Sequence, residues 1–129
     1  MQYEDWTGKL NDQTPHSYKM RNGQHMLLPT ARMVDDFMRS VPKGQAVDIM
    51  AMKVRMAVEN GAEVTCPVTI GYHLRTVAEA AWQEHESGAG IDEITPFWRV
   101  IDAGTSTAKR LACGMDFLSQ QRAAEGLEP

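Results

Sequence analysis

Cysteine is scarce in this chain of 129 residues, which contains only Cys66 and Cys113. Two cysteines are too few for a disulfide framework, and their spacing matches neither a CxxC pair nor a zinc site. The four histidines are scattered along the sequence. We therefore expect neither a metal site nor a cofactor.

Long apolar runs are missing as well. No window approaches ~18 consecutive apolar residues, which is the length that a membrane-spanning helix needs. Residues 1–6 have neither the cationic region nor the apolar block of a secretory signal. These absences predict a cytoplasmic protein with no membrane partner.

Positive charge is in deficit, since the formal net charge at pH 7 is -4. Nucleic-acid affinity depends largely on Lys and Arg side chains that replace counterions at phosphates. The charge balance therefore argues against a protein that is basic over its whole surface, but it allows a locally basic face. With 43% hydrophobic and 23% charged residues, the composition is ordinary for a single globular domain with a modest core.

Turn signals and apolar periodicity divide the chain into two parts. Residues 1–29 contain several turn pairs, such as Asn22-Gly23, with little periodicity between them, and predict an irregular N-terminal arm. Residues 30–129 predict a mainly helical α+β domain with a short strand pair, one strand of which covers residues 97–101. Its four predicted helices begin after Thr30, after Asp48, after Thr65 or Cys66, and at Asp116.

The third predicted helix runs from about Pro67 to about Glu86. Proline suits a first helical turn, and an apolar stripe continues along one face of this helix. Gly71 lowers local helix stability by up to ~1 kcal/mol relative to alanine. Close approach of a ligand or of another backbone would explain a glycine at that place.

The order of these elements is that of a winged helix-turn-helix. Two helices joined by a short turn precede a strand and a basic loop, and the helix near Pro67 takes the place of the recognition helix. Lys109 and Arg110 in the basic loop are candidate contacts to DNA phosphates.

One charged residue interrupts an apolar stretch, because Arg99 lies between Trp98 and Val100. An unpaired buried charge costs several kcal/mol. Arg99 is therefore expected to pair inside the fold, to lie at the mouth of a site, or to reach water along its own stem. The neighbouring Phe97 and Trp98 are either core residues or part of a pocket.

Three segments in order resemble the DNA-binding domain of the alkylguanine-DNA alkyltransferases and of the alkyltransferase-like proteins, which lack the acceptor cysteine. Residues 41–45 (VPKGQ) resemble the opening turn of that domain. Residues 75–80 (RTVAEA) resemble its RAVGxA recognition helix, and residues 96–100 (PFWRV) resemble its PCHRV site. The ending, residues 121–126, is also similar to the family's ending.

This resemblance implies a non-enzymatic, monomeric protein that binds double-stranded DNA. Such proteins bind an alkylated guanine flipped from the duplex and mark it for a repair protein. The family's acceptor cysteine corresponds to Phe97 and its activating histidine to Trp98. Alkyl transfer needs a thiolate, which a phenyl ring cannot supply. The implied base pocket consists of Pro96, Phe97, Trp98 and Arg99.

Arg75 corresponds to the arginine finger that fills the gap left by the flipped base. The other expected DNA contacts are Lys43, Gly71, Thr76, Lys109 and Arg110. A simpler alternative exists for Arg75, because Glu79 lies four residues further along the helix and a solvent-exposed ion pair would also explain both residues.

Two departures from the family bear on DNA binding. Ile49 stands where the family usually has a tyrosine that rotates the nucleotide's phosphate, and Glu79 brings a carboxylate near the face expected to meet phosphates. They favour an alternative in which the domain is a protein-interaction module without DNA binding. A third possibility is an enzyme that uses Cys66 or Cys113 as a replacement nucleophile, although buried inert thiols would explain both cysteines.

Overall fold

The structure is a computed structural model that describes residues 16–129, apart from the side chain of His16. The described part is mainly helical, with one small sheet, and confirms the α+β class. Its strands are β1 (His16–Lys19), β2 (His25–Leu28) and β3 (Val64–Thr65). Its α-helices are α1 (Ala31–Ser40), α2 (Ile49–Glu59), α3 (Pro67–Glu86) and α4 (Gly114–Ala124).

The first three helices begin where their capping residues predict. The Thr30 hydroxyl accepts a hydrogen bond from the amide of Met33 at 3.2 Å, and the Asp48 carboxylate accepts one from the amide of Ala51 at 2.8 Å. Cys66 occupies the same position before α3. Each cap satisfies an N–H group that the helix itself leaves without a partner.

The start of α4 differs from the prediction. The capping position is occupied by Cys113, which makes no side-chain capping bond, and Asp116 lies inside the first turn. An acidic side chain in a first turn still interacts favourably with the helix dipole. Asp116 therefore supports α4 without capping it.

The prediction of an irregular N-terminal arm is wrong for residues 16–28. β1 and β2 form an antiparallel hairpin, and β2 also pairs in parallel with β3, so that Leu27 lies opposite Thr65. The hairpin turn contains Gly23 at a φ of 88°, which favours glycine. The pairing with β3 joins segments far apart in sequence, so local patterns could not reveal it. Residues 1–15 of the predicted arm lie outside the described residues.

The prediction of a strand at residues 97–101 is also wrong. Phe97–Arg99 forms a 3-10 turn, in which the amide of Val100 donates to the carbonyl of Phe97 at 3.1 Å. Complete burial, and not a pleated strand, explains the apolar residues here. A second 3-10 turn covers Ala108–Arg110.

The core is built around α3, whose buried face includes Leu74, Val77 and Ala81. Asp35 on α1 fixes the loop before the first 3-10 turn, since its carboxylate accepts a hydrogen bond from the hydroxyl of Thr95. This bond holds residues 94–101 against the core. Within residues 16–129, no helix is both long enough and apolar enough to cross a membrane.

Candidate nucleic-acid interface

Seven of the ten predicted site residues are divided between two cavities that share no lining residue. The first, which we call the α3 cavity, has a volume of about 320 Å³ and lies between α3 and the segment that follows the first 3-10 turn. The second, the α4 cavity, has a volume of about 310 Å³ and lies beside the end of α4. The α3 cavity is lined by Val68, Gly71, Tyr72, Arg75, Ser106, Thr107 and Arg110.

The α3 cavity brings together Gly71, Arg75 and Arg110, three of the predicted DNA-binding residues. Gly71 faces open space, because a Cβ atom there would meet no heavy atom within 4 Å. Within residues 16–129, no neighbouring atom therefore explains this glycine by close approach. The space above this turn of α3 is open.

Sequence reasoning missed two exposed residues on the same face, Val68 and Tyr72. They are four residues apart and both lie outside the buried stripe of α3. An apolar pair at helical spacing on the polar face was the signal that could have identified them. Ser106 and Thr107, which also line the cavity, were not among the predicted site residues.

Positive charge dominates the α3 cavity. Its lining, all within the described residues, contains the guanidinium groups of Arg75 and Arg110 and no carboxylate. The hydroxyls of Tyr72, Ser106 and Thr107 add hydrogen-bonding groups. In a chain of net charge -4, this is a local site suited to an anionic or strongly polar ligand.

Arg75 lies close to Glu79, as the simpler alternative expected, but the pair is not fully exposed to solvent. Its Nε lies 3.7 Å from Oε2 of Glu79, while its side chain remains 42% exposed and lines the cavity. The side chain of Glu79 is only 5% exposed, and its carboxylate accepts a hydrogen bond from the amide of Ala112 at 3.1 Å. Glu79 therefore does not present its charge directly to solvent.

The prediction that Thr76 contacts DNA is wrong. Its side chain points inward, with 1% of the residue exposed, and its hydroxyl donates to the carbonyl of Tyr72 at 3.1 Å. Lys109 is exposed beside Arg110 but does not line the α3 cavity. Lys43 lines the α4 cavity instead.

The predicted base pocket is not formed. Phe97 is 0% exposed and Trp98 is 1% exposed. The ring centroid of Phe97 lies 5.3 Å from that of Trp98 and 6.2 Å from that of Phe117. Both residues are therefore part of the core. Pro96, Trp98 and Arg99 border the α4 cavity, but neither aromatic ring offers a free face on which a base could stack.

Arg99 pairs inside the fold, which was one of its three expected roles. Its Nε donates to Oε1 of Glu125 at 2.9 Å, and a second guanidinium nitrogen donates to the carbonyl of Val41 at 2.8 Å. Glu125 also accepts hydrogen bonds from the indole of Trp98 and the amide of Gly44. Burial raises the pKa of Glu125, but the Arg99, Gly44 and Trp98 interactions outweigh it and lower this pKa to about 2.

The two cysteines lie in different environments. Burial raises the pKa of the Cys66 thiol, but hydrogen bonds from Thr69 and the charge of Lys53 outweigh this effect and lower it overall. The Thr69 hydroxyl lies 3.2 Å from the sulfur. Burial and the charge of Glu79 raise the pKa of Cys113 to about 11. Only Cys66 therefore has the properties of a reactive thiol.

We expect an alkylating reagent near neutral pH to modify Cys66 faster than Cys113 by more than about tenfold, because each pKa unit changes the thiolate fraction about tenfold. Peptide mapping by mass spectrometry after timed reaction measures both rates. In denaturant the two rates should become similar. Equal rates in the folded protein would contradict the assignment.

No group of three or more His, Cys, Asp or Glu side chains suited to a metal ion occurs in residues 16–129. Ile49, which replaces the expected tyrosine, is partly buried and packs against the core. Neither observation adds a chemical group to the α3 cavity.

Comparison of the chain with family profiles, with curated proteins and with solved structures found no match. These comparisons therefore assign the chain to no family. The feature that bears on function is the α3 cavity, with its two guanidinium groups and its exposed tyrosine.

Proposed function

We propose that this protein binds double-stranded DNA through the α3 cavity and recognises an alkylated guanine turned out of the duplex, without transferring the alkyl group. The observation that carries the proposal is the concentration of Arg75, Arg110 and three hydroxyl groups, with no carboxylate, along one cavity. Of residues 75–80, which resemble a recognition helix, Arg75 lines this cavity and the other five are buried.

In this proposal α2 and α3 form a helix-turn-helix, and residues 102–113 take the place of a wing. The exposed face of α3 enters the groove, and Lys109 and Arg110 lie against the phosphates. Lys109 and Arg110 are both exposed in the second 3-10 turn. They can therefore reach a phosphate backbone without any change in the core.

The flipped base is assigned to the α3 cavity and not to Phe97 and Trp98. A volume of about 320 Å³ lies within the usual range of small-molecule sites. Tyr72 is 56% exposed, and an exposed aromatic ring can stack on a base at a gain of ~1 to 3 kcal/mol. Base flipping costs a few kcal/mol, and Arg75 at the rim would offset part of it by filling the vacated space.

Absence of alkyl transfer is proposed from the residue at the acceptor position. Phe97 carries no nucleophile and is fully buried. Of the two thiols, Cys113 has a raised pKa, and neither cysteine lines the α3 cavity. Binding without chemistry is therefore the activity that this arrangement supports. A mass increase of the intact protein after incubation with alkylated DNA would refute it.

The direct test is a titration of the protein against duplexes with and without one alkylated guanine, at about 50 mM and about 200 mM salt. We expect tighter binding to the lesion duplex, and weaker binding to both duplexes at the higher salt concentration. Two to three phosphate contacts predict a slope of log affinity against log salt of about -2 to -3. No binding, or binding that ignores both lesion and salt, would exclude the proposal.

Replacement of Arg75 by alanine should weaken binding to the lesion duplex by about tenfold or more, since a guanidinium contact to bases is worth ~1 to 3 kcal/mol. The preference for the lesion should fall with it. Arg55→Ala is the matched control, because it removes the same charge from an exposed position on α2 outside the α3 cavity. Equal losses of affinity in the two variants would show that Arg75 contributes only through its positive charge.

A second candidate is a protein-interaction module. Met50, Val54 and Val58 are exposed by 66%, 56% and 71% and follow one another at intervals of four residues on α2. An exposed apolar stripe of this kind can contact a protein partner. The test is capture of a partner protein by the wild type, by Arg75→Ala and by Val54→Lys. Equal capture by the wild type and Arg75→Ala, with loss of capture in Val54→Lys, would favour this function if none of the three binds DNA.

A further inference from the structure

Glu79 lies behind the α3 cavity and contacts one of its lining residues. Its carboxylate lies 3.7 Å from Nε of Arg75, which lines the cavity, and accepts a hydrogen bond from the amide of Ala112 in the segment before α4. Its side chain is 5% exposed, against 42% for Arg75. A buried anion therefore interacts with the cation that is best placed to meet a ligand.

Arg75 and Glu79 are neighbours one turn apart on α3. Side chains on a helix lean toward its N-terminus, so that Glu79 leans toward Arg75, although an arginine that precedes a glutamate by four residues is in the less favourable order. Arg75 lines the α3 cavity together with Gly71 while its Nε lies 3.7 Å from Glu79. The attraction of Glu79 thus acts on Arg75 from behind the cavity.

Moving Arg75 toward a ligand carries an electrostatic cost. The carboxylate of Glu79 would lose a positive partner while it remains buried, and a buried charge that loses its partner is destabilising. The hydrogen bond from Ala112 would remain, because it involves the backbone and not Arg75. A ligand must therefore compete with Glu79 for the guanidinium group.

We propose that Glu79 is a positioning residue that restrains Arg75 against α3 in the unbound protein, so that DNA binding releases Arg75 from it. This inference rests on the proposed DNA-binding function. It makes Glu79 a determinant of affinity and of lesion preference, although it does not touch the DNA. Undamaged duplex, which gives Arg75 no gap to fill, would leave the restraint in place.

The test replaces Glu79 by glutamine, which removes the charge but keeps a carbonyl oxygen that can accept the bond from Ala112. Binding to the lesion duplex should become about fivefold tighter, which corresponds to about 1 kcal/mol. Binding to undamaged duplex should change much less, so that the preference for the lesion should widen. The gain should disappear in the double variant Arg75→Ala/Glu79→Gln, because no side chain is left to be released. A gain that persists without Arg75 would overturn the proposal.

The matched control is Glu86→Gln, which removes the same charge from an exposed position at the end of α3. It should change affinity much less than Glu79→Gln. Thermal unfolding checks that each variant is folded. If Glu79→Gln is not folded, Glu79→Asp shortens the side chain and withdraws the carboxylate from Arg75. It should then shift affinity in the same direction by a smaller factor, and an unchanged affinity would overturn the proposal.

A measurement without DNA separates this inference from the proposed function. The Nε–H signal of Arg75 in nuclear magnetic resonance spectra of the unbound protein should shift and become more mobile in Glu79→Gln, but not in Glu86→Gln. If this change occurs and no variant binds any duplex, the restraint stands and the DNA-binding function fails. If the Arg75 signal does not change, the restraint is refuted whatever the DNA titrations show.

Discussion

Replacing Phe97 by alanine is expected to lower the free energy of unfolding by about 3 to 5 kcal/mol. The ring is fully buried and contacts the rings of Trp98 and Phe117. Its removal would leave a cavity that the surrounding side chains cannot fill by small shifts, and the loss combines the lost burial with that cavity. Urea denaturation at neutral pH measures the effect.

The control for Phe97 is an exposed aromatic residue. Tyr18 on β1 is 58% exposed, so Tyr18→Ala should change the free energy of unfolding by no more than about 0.5 kcal/mol. If Phe97→Ala is too unstable to measure, Phe97→Leu should show a smaller loss in the same direction. If Phe97→Ala lost less than about 1 kcal/mol in the free energy of unfolding and also altered the lesion preference, Phe97 would be part of a base pocket and not of the core.

Replacing Glu125 by glutamine is the second large effect, with an expected loss of about 3 kcal/mol in the free energy of unfolding. Glu125 accepts hydrogen bonds from Arg99 and Trp98 in the first 3-10 turn and from Gly44 in the segment between α1 and α2. Glutamine cannot offer two acceptor oxygens, and its amide group would oppose the guanidinium of Arg99. The variant would therefore leave a mostly buried cation without its counter-charge.

The same network predicts how stability depends on pH. The pKa of Glu125 is lowered from 4.5 to about 2 in the folded protein. A lowered pKa means that the stabilisation is complete above about pH 4.5 and is lost progressively as the pH falls toward about 2. Denaturation series over this range should show that the free energy of unfolding of the wild type falls steeply as the pH decreases. For Glu125→Gln it should fall with a smaller slope.

Glu128→Gln serves as the control for this pH dependence. Glu128 is exposed near the C-terminus. Its backbone carbonyl, and not its carboxylate, accepts the hydrogen bond from Arg122. Glu128→Gln should have the same free energy of unfolding as the wild type and the same dependence of it on pH. A Glu125→Gln variant with the same acid sensitivity as the wild type would show that other carboxylates carry the effect.

Local signals in the sequence were sufficient for the starts of the first three helices. Thr30 and Asp48 predict their helix starts because each capping oxygen acts on an amide only three residues away. Pro67 and the apolar stripe of α3 predict the third helix for the same reason, since the interactions lie within a few turns. The identity of Phe97 likewise excludes a thiol at residue 97 without any structural information.

Long-range contacts determined the rest. The pattern at residues 97–101 is the same for a buried strand and for a buried turn, and the partner that distinguishes them, Glu125, lies 26 residues away from Arg99. Pairing of β2 with β3 likewise depends on residues far apart in sequence.

The candidate site shows the same division. The chain alone places Gly71, Arg75 and Arg110 among the DNA-binding candidates, from the resemblance of residues 75–80, the glycine in a helix and the basic loop. It also brings Arg75 within reach of Glu79, four residues away. The meeting of the three candidates in one cavity and the burial of Thr76 and Glu79 depend on how α3 packs against distant segments. Residue type therefore sets which chemistry is available, whereas packing between distant segments sets which groups face the same space.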